Sequence, residues 1–381
     1  SASLNGGANV VSQTGAVAML PTPWGFYLPI PLVSATTAQQ FNAIMASNIA
    51  VTIGDNSMVN LNGSGDNITA GSNVLLAING NANHSILGPA SYAIVNGSGN
   101  WTSLGNNASA NINGDANTTF MGSGSGATIS GSGNGTLLGD WSWANIGGNN
   151  DWTSLGAHSY VQIDGSGNWT QLGDGSTALI NGNYDTTYLG AGSGATVNGV
   201  SDGTQLGDWS WAHINGVGDW TSLGSHSNAI INGTGDWTQL GDDSGANING
   251  TNDTTYLGSG SGAVVGGSLN GTTLGNWSWA NIIGTGDATR LGSDSYANIT
   301  GASNQTTLGS GSHADLLSWY NNLIMGLNSS ASVTGFYNNV TTGASSSVTI
   351  AGGIWNTVDV GAGSSVNLGP WGTLFNNLTQ H

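Results

Sequence analysis

Residues 208–224 read DWSWAHINGVGDWTSLG, and the glycine that closes this stretch stands seventeen positions after Gly207. The same interval runs from Gly54 to Gly343, eighteen glycines with no insertion or deletion between them. Fixed sequence periods mark solenoids and repeat arrays. A period this short leaves room for about two strands and two turns per unit.

Numbering each unit 1 to 17, with the periodic glycine last, exposes the rows. Position 7 is always Ile, Val or Leu, position 5 is Ala in fourteen of seventeen units, and position 16 is Leu or Met in fifteen. Position 3 is Ser in fifteen units, and position 14 is Thr from Thr102 to Thr306. Positions 3, 5 and 7, and again 14 and 16, alternate as two strands with one buried face require. The inward threonines bury their methyls, and a hydroxyl row stacked coil on coil is the expected partner for their oxygens. Gly at positions 9 and 17 is expected to turn the chain through positive φ. Asn or Asp, present at position 12 in every unit, is expected to cap the turn. Such a unit cannot bury enough surface alone, so neighbours must stack. The expected fold is all-β: a two-sheeted parallel β-solenoid (β-helix) of 17-residue coils, about 4.8 Å apart.

A second period of four coils, sixty-eight positions, rides on the first. A Trp-Ser-Trp opens every fourth unit at Trp141 and Trp143, Trp209 and Trp211, and Trp277 and Trp279. Position 13 carries Trp101, Trp152, Trp169, Trp220 and Trp237, and position 15 carries Phe120, Tyr188 and Tyr256. Strand alternation sends all of these outward. Three readings of the rows stand open: rings that shield the ladder, a contact surface for another copy, or a platform for sugar rings.

Three segments follow. Residues 1–37 are irregular, apolar and Pro-rich, residues 38–343 form the solenoid after a transitional 38–54, and residues 344–381 are degenerate coils. Past Gly343 the glycine interval stretches to eighteen, at Gly361. Solenoid ends expose unpaired strands, so they need caps or partners. Trp24, Phe26 and Tyr27 at one end, and Trp355, Trp371 and Phe375 at the other, are the candidate end-to-end assembly residues.

Composition narrows the function. The 381 residues include 65 Gly, no Cys, and a single Lys or Arg, namely Arg290, against 19 acidic residues, all Asp, for a formal charge of −18. Phosphate backbones need several cations, so nucleic acid is a poor partner. The most apolar stretch, Phe26 to Val33, is short and broken by Pro29 and Pro31, so no membrane span is expected. A chain that starts at Ser1 and offers trypsin-like proteases one site suits a secreted, extracellular or cell-surface place. Without Cys or Glu, thiol chemistry and Glu-based acid–base schemes are excluded, and the only adjacent acidic pair is Asp242–Asp243. The expectation is a protein that is not an enzyme.

Asp185, Asp202, Asp219, Asp236 and Asp253 stand in succession at position 12, a candidate row for calcium between coils. Asn100, Asn117, Asn134 and Asn168 fill the same position, which favours turn capping and no cofactor. Residues 233–241 (GTGDWTQLG) resemble half of an RTX calcium repeat, but Asp236 follows Gly235 directly where that family inserts a residue. His158 and His226 share position 2 four coils apart and are expected to face solvent. Asn-X-Ser/Thr sequons at Asn100, Asn168, Asn270 and Asn304 arise from positions 12 and 14 and need no glycans.

The stacked strand–arch–strand unit with phased Gly, Asn and Ser/Thr over about residues 38–361 resembles bacterial extracellular β-solenoids, in the style of curli-type amyloid subunits and adhesin stalks. The curli repeat differs in length and places Gln and Asn inside, so the resemblance is to a class. It implies a secreted, self-assembling structural protein of surface fibres or biofilm matrix, functional-amyloid-like, with other copies of itself as partner. The alternative is an adhesin or carbohydrate-binding rod that stacks Trp on a polysaccharide. Ice binding fits less well, since it asks for outward Thr rows.

Overall fold

The computed structural model describes residues 47–380 continuously, with short strands before them at Ala2–Ser3, Ser12–Gln13, Val17–Pro21, Tyr27–Ala35 and Phe41–Met45. Side chains are described within residues 44–369, residue 46 apart. The chain forms two compact units, Ser1–Leu189 and Gly190–His381, and each winds as a parallel β-solenoid. No helix occurs among the described residues.

Each coil holds two four- or five-residue strands. In the second unit Trp211–Ile214 covers positions 4–7 and Trp220–Leu223 covers positions 13–16. Trp211 pairs with Gly194 below and Asn228 above, and Trp220 with Gly203 and Trp237, all parallel and in register one repeat apart. The first unit follows the same scheme: Trp152 lies between Gly135 and Trp169, and Tyr160 between Trp143 and Thr177. Pairing thus runs in two ladders. In the second unit one long strand, Ser347–Val360, pairs with both Ser330–Thr334 and Asn339–Thr342. The ladders there belong to one parallel sheet, where two separate sheets were expected.

Burial follows the sequence rows. Ser210, Ala212, Ile214, Thr221 and Leu223 are all 3% exposed or less, and their counterparts in other coils behave alike. At the start of the chain, Val17–Pro21 pairs antiparallel with the first half of Tyr27–Ala35, whose second half joins Ala50–Ile53 in parallel. Beyond Gly343 the coil lengthens by one residue: Asn338 bonds Asn356, a separation of 18, and pairing continues to Ser365–Gln380.

The turns differ from expectation in a consistent way. Positive φ falls at positions 2 and 11, as at Trp209 (60°) and Gly218 (70°), or Trp141 (58°) and Asn150 (56°), not at position 12 or at the periodic glycine. Position 9 is left-handed in only a few coils, such as Gly131 and Gly267. The periodic glycine answers to a steric limit. A Cβ built on Gly241 would lie 2.6 Å from the backbone nitrogen of Ser225, and one on Gly173 would lie 2.6 Å from that of Ala157. Neighbouring coils touch backbone to backbone at this corner, and only hydrogen fits between them.

The threonine row also departs from expectation. Thr153, Thr170, Thr221, Thr238 and their equivalents bury Oγ1 with no hydrogen-bond partner among the described residues. In-register stacking holds equivalent atoms about 4.8 Å apart, beyond hydrogen-bond reach. The methyl is what packs.

Three outcomes follow for unfolding in urea. Gly241→Ala should lose more than about 2 kcal/mol, because backbone cannot yield. Gly235→Asn, at a left-handed site with nothing within 4 Å, should stay within about 0.5 kcal/mol. Thr221→Val should be neutral or gain about 1 kcal/mol, since the hydroxyl it deletes is buried unpaired; a loss above that size would mean the oxygen is bonded.

Candidate functional site: aromatic rows and a buried carboxyl row

Positions 13 and 15 stand on the solvent face of their strands, and the aromatics there meet coil to coil. In the first unit Trp152 and Trp169 stack at 5.7 Å between ring centroids, 5° from parallel, and Trp169 meets Tyr188 at 5.7 Å. In the second unit Trp220 and Trp237 stack at 5.5 Å and 5°, and Trp237 meets Tyr256 at 5.8 Å. Trp101 sits between His84, stacked at 4.1 Å, and Phe120 at 5.5 Å. The middle ring of each trio is half-buried by its neighbours. Each such contact contributes roughly 0.5–1.5 kcal/mol. These rows therefore spend ring faces on one another.

The Trp-Ser-Trp pairs divide into two roles. The first Trp lies in the left-handed corner at position 2, where a bulky side chain costs about 1–2 kcal/mol. Trp141 and Trp209 recover part of this by stacking on His158 at 4.4 Å and His226 at 4.2 Å. These histidines cover indoles as well as facing solvent. Trp277, at the same corner, is 70% exposed.

The second Trp lies over a glycine one coil below: Trp143 over Gly126, Trp211 over Gly194 and Trp279 over Gly262. A Cβ on each glycine would strike the indole, with Cε2 or its ring neighbours Nε1 and Cζ2 nearest. That is the pattern of a point above the ring face. One face is down on the sheet and the other looks outward, leaving these indoles 44–49% exposed. The signal was readable in the sequence, since a glycine stands one full repeat before each of the three.

A further stack was missed. Tyr320, Tyr337 and Trp355 occupy successive left-handed corners, at 4.9 and 4.8 Å between centroids. Trp355, expected as an assembly residue, is engaged within its own chain. Trp24 and Phe26 lie outside the described residues, as do the side chains of Tyr27, Trp371 and Phe375.

Position 12 is buried to about 1% exposure, and its side chain serves the neighbouring coil more than its own turn. The backbone N–H at position 12 donates to the Oδ1 of position 12 one coil on: Asn117 to Asn134 at 2.9 Å, Asp151 to Asn168 at 2.9 Å, Asp219 to Asp236 at 2.9 Å. The amide of Asn then donates from Nδ2 to the position 9 carbonyl of the preceding coil, as Asn168 does to Gly148 at 3.1 Å and Asn304 to Gly284 at 3.1 Å. Asp has no proton there when ionised. Oδ2 of Asp219 and the carbonyl of Gly199 both border the space over Gly216, oxygen facing oxygen. The Oδ2 atoms of Asp219, Asp236, Asp253 and Asp287 are buried without a partner among the described residues.

Burial raises these carboxyls against the opposing pull of their backbone hydrogen bonds, to about 6 at Asp185, Asp219, Asp253 and Asp287. The charge of Asp236 adds to the rise at Asp219 and Asp253. A protonated carboxyl has the hydroxyl that stands in for the amide donor of Asn. Among the described residues no three His or Asp side chains converge as a metal site, and no helix is long and apolar enough to cross a membrane. Asparagine ladders run instead at position 8, as Asn96 to Asn79 at 2.8 Å and Asn232 to Asn215 at 3.0 Å.

Comparison with protein-family models, curated proteins and solved structures found no match.

Folded, Asp185, Asp219, Asp253 and Asp287 release their protons at about 6, against an ordinary value of 3.8. The row's contribution is complete below about pH 4 and is lost as pH rises through 6. Thermal midpoints should therefore fall from pH 4 to pH 7.5. Asp253→Asn should raise the midpoint at pH 7.5 while leaving it unchanged at pH 4; equal shifts at both values would dissociate the row from the pH dependence.

Proposed function

We propose that the chain is a non-enzymatic structural subunit of an extracellular fibre or matrix, joined end to end through strand edges and side by side through its aromatic rows. The observation that carries this reading is the open edge. Among the described residues Ser365–Gln380 pairs only with Ser347–Val360, and Phe41–Met45 pairs only with Met58–Asn62. Among the described residues each has a parallel neighbour on one side alone, and a strand edge of that kind can template another chain. An edge from either end of the sequence can meet the other in a head-to-tail contact, which propagates where a two-fold contact would close. Exposed rings on the flank supply apolar lateral surface. Scarce Lys and Arg, which limit trypsin-like cleavage, suit an extracellular place.

A second reading, a polysaccharide-binding rod, draws on the outward faces of Trp143, Trp211 and Trp279. A flat indole backed by glycine offers a sugar ring the platform that the mutually stacked trios do not.

Electron microscopy of purified protein should show filaments lengthening with concentration. Asn376→Pro, which sets a proline within Ser365–Gln380 and so blocks that edge, should shorten them while circular dichroism stays unchanged. Trp211→Ala with Trp279→Ala should loosen lateral bundles; unchanged bundles with lost glycan binding would transfer the face-down indoles to the second reading. Monomers persisting at high concentration would refute the fibre.

A further inference from the structure

The second unit contains one place where the aromatic pattern lapses and a charge enters. Along the outer face, position 13 runs Trp220, Trp237, Thr254, Gly271, Ala288, Gln305, and position 15 runs Ser222, Gln239, Tyr256, Thr273, Arg290, Thr307. After Gly203 the next coil supplies Trp220, whereas after Gly271 it supplies Ala288. The indole that would fill the space is absent, and a groove of about 230 Å³ opens there. Tyr256 and Thr254 line one end, Gln305 and Thr307 the other, with Gly271, Thr273 and Arg290 between. Ligand pockets for drug-sized molecules run from about 300 Å³ upward, so this one suits a single small ring.

Its chemistry is specific. Arg290 is the chain's only fixed cation among 19 Asp, yet the ion pairs of the described residues involve His226 and His313 alone. Strand pairing sets Arg290 between Thr273 and Thr307, with Gln305 two residues before Thr307. An unpaired guanidinium is a bidentate receptor for a carboxylate. Threonine hydroxyls and a primary amide match sugar hydroxyls as both donors and acceptors. Tyr256 is propped by Trp237 and closes one wall with a ring. The lining has no apolar recess for a peptide side chain, and one guanidinium without a second cation fits a monoanion better than a phosphate.

We propose that this groove binds a hexuronate unit of an acidic polysaccharide, with Arg290 on the carboxylate, Tyr256 against the sugar ring, and Thr273, Gln305 and Thr307 on its hydroxyls. The site rests on the polysaccharide reading and is independent of self-assembly.

The test is calorimetric titration of dilute protein with oligogalacturonate, with a neutral galactan oligomer of equal length, and with acetate. Oligogalacturonate should bind, and the other two should not compete at equal concentration. Arg290→Lys should weaken binding about tenfold or more, and Arg290→Gln should abolish it. Ala288→Trp, which restores the repeat and fills the groove, should also abolish it with an unchanged thermal midpoint. Uronate binding that survives Arg290→Gln, or neutral oligomer binding equally well, would overturn the site; loss of that binding in Trp211→Ala with Trp279→Ala would move it to the face-down indoles and keep the broader reading. Equal competition by acetate would reduce the groove to carboxylate capture and refute sugar recognition. No binding of any oligomer would end both readings and leave the fibre untouched.

Discussion

Each coil depends on a backbone N–H that turns inward after a left-handed corner and finds its acceptor on the coil above. At position 12 the acceptor is Oδ1 of Asn or Asp, and at position 3 it is Ser Oγ, as when Ser193 donates to Ser210 and Ser210 to Ser227 at 3.2 and 3.1 Å. A buried amide without a partner costs on the order of 1–3 kcal/mol, and no strand neighbour is placed to accept these two. Short side chains with an oxygen at the right reach therefore fill position 12 in every unit and position 3 in fifteen of seventeen, Val74 and Ala108 being the exceptions. Donor and acceptor sit one full repeat apart in sequence, and where the coil lengthens to eighteen both rows shift with it, as Asn338 to Asn356 and Ser346 to Ser364. Any change in coil length must therefore carry both rows together, and from Gly54 to Gly343 the interval stays at seventeen.

The same stacking dictates what else the coil tolerates. In-register ladders bring equivalent atoms within about 5 Å, close enough for rings and amides to reward one another and too far for hydroxyls. Asparagine gains most, since it donates as well as accepts, and aspartate must hold a proton to do the same. An acidic solenoid with buried carboxyls thus gives up stability at neutral pH, where those carboxyls ionise. Like other repeat arrays, its stability is a sum over neighbours, so losses at one coil spread to the next.

The outer face carries what the interior does not need. Stacked trios and corner rings stabilise adjacent coils, while the indoles laid on Gly126, Gly194 and Gly262 keep a face for solvent or a partner. The open strand edges and these faces together support a protein whose work is contact. The Arg290 groove, set where Ala288 interrupts the row, is a local departure from a surface otherwise repeated.

The sequence by itself determined the parallel solenoid, the length of its coil, the inward rows at positions 3, 5, 7, 14 and 16, and the outward aromatics. All of these follow from periodicity, because stacking makes each row a line of identical environments. Tertiary structure decided where the chain turns, since Trp209 and Gly218 reach positive φ only through the geometry of the corner. It also decided that Gly241 is there for contact with the coil beneath, that Thr221 buries an idle hydroxyl, and that Asp219 faces a carbonyl. These depend on distances between coils, and a linear spacing carries no distance across the stack.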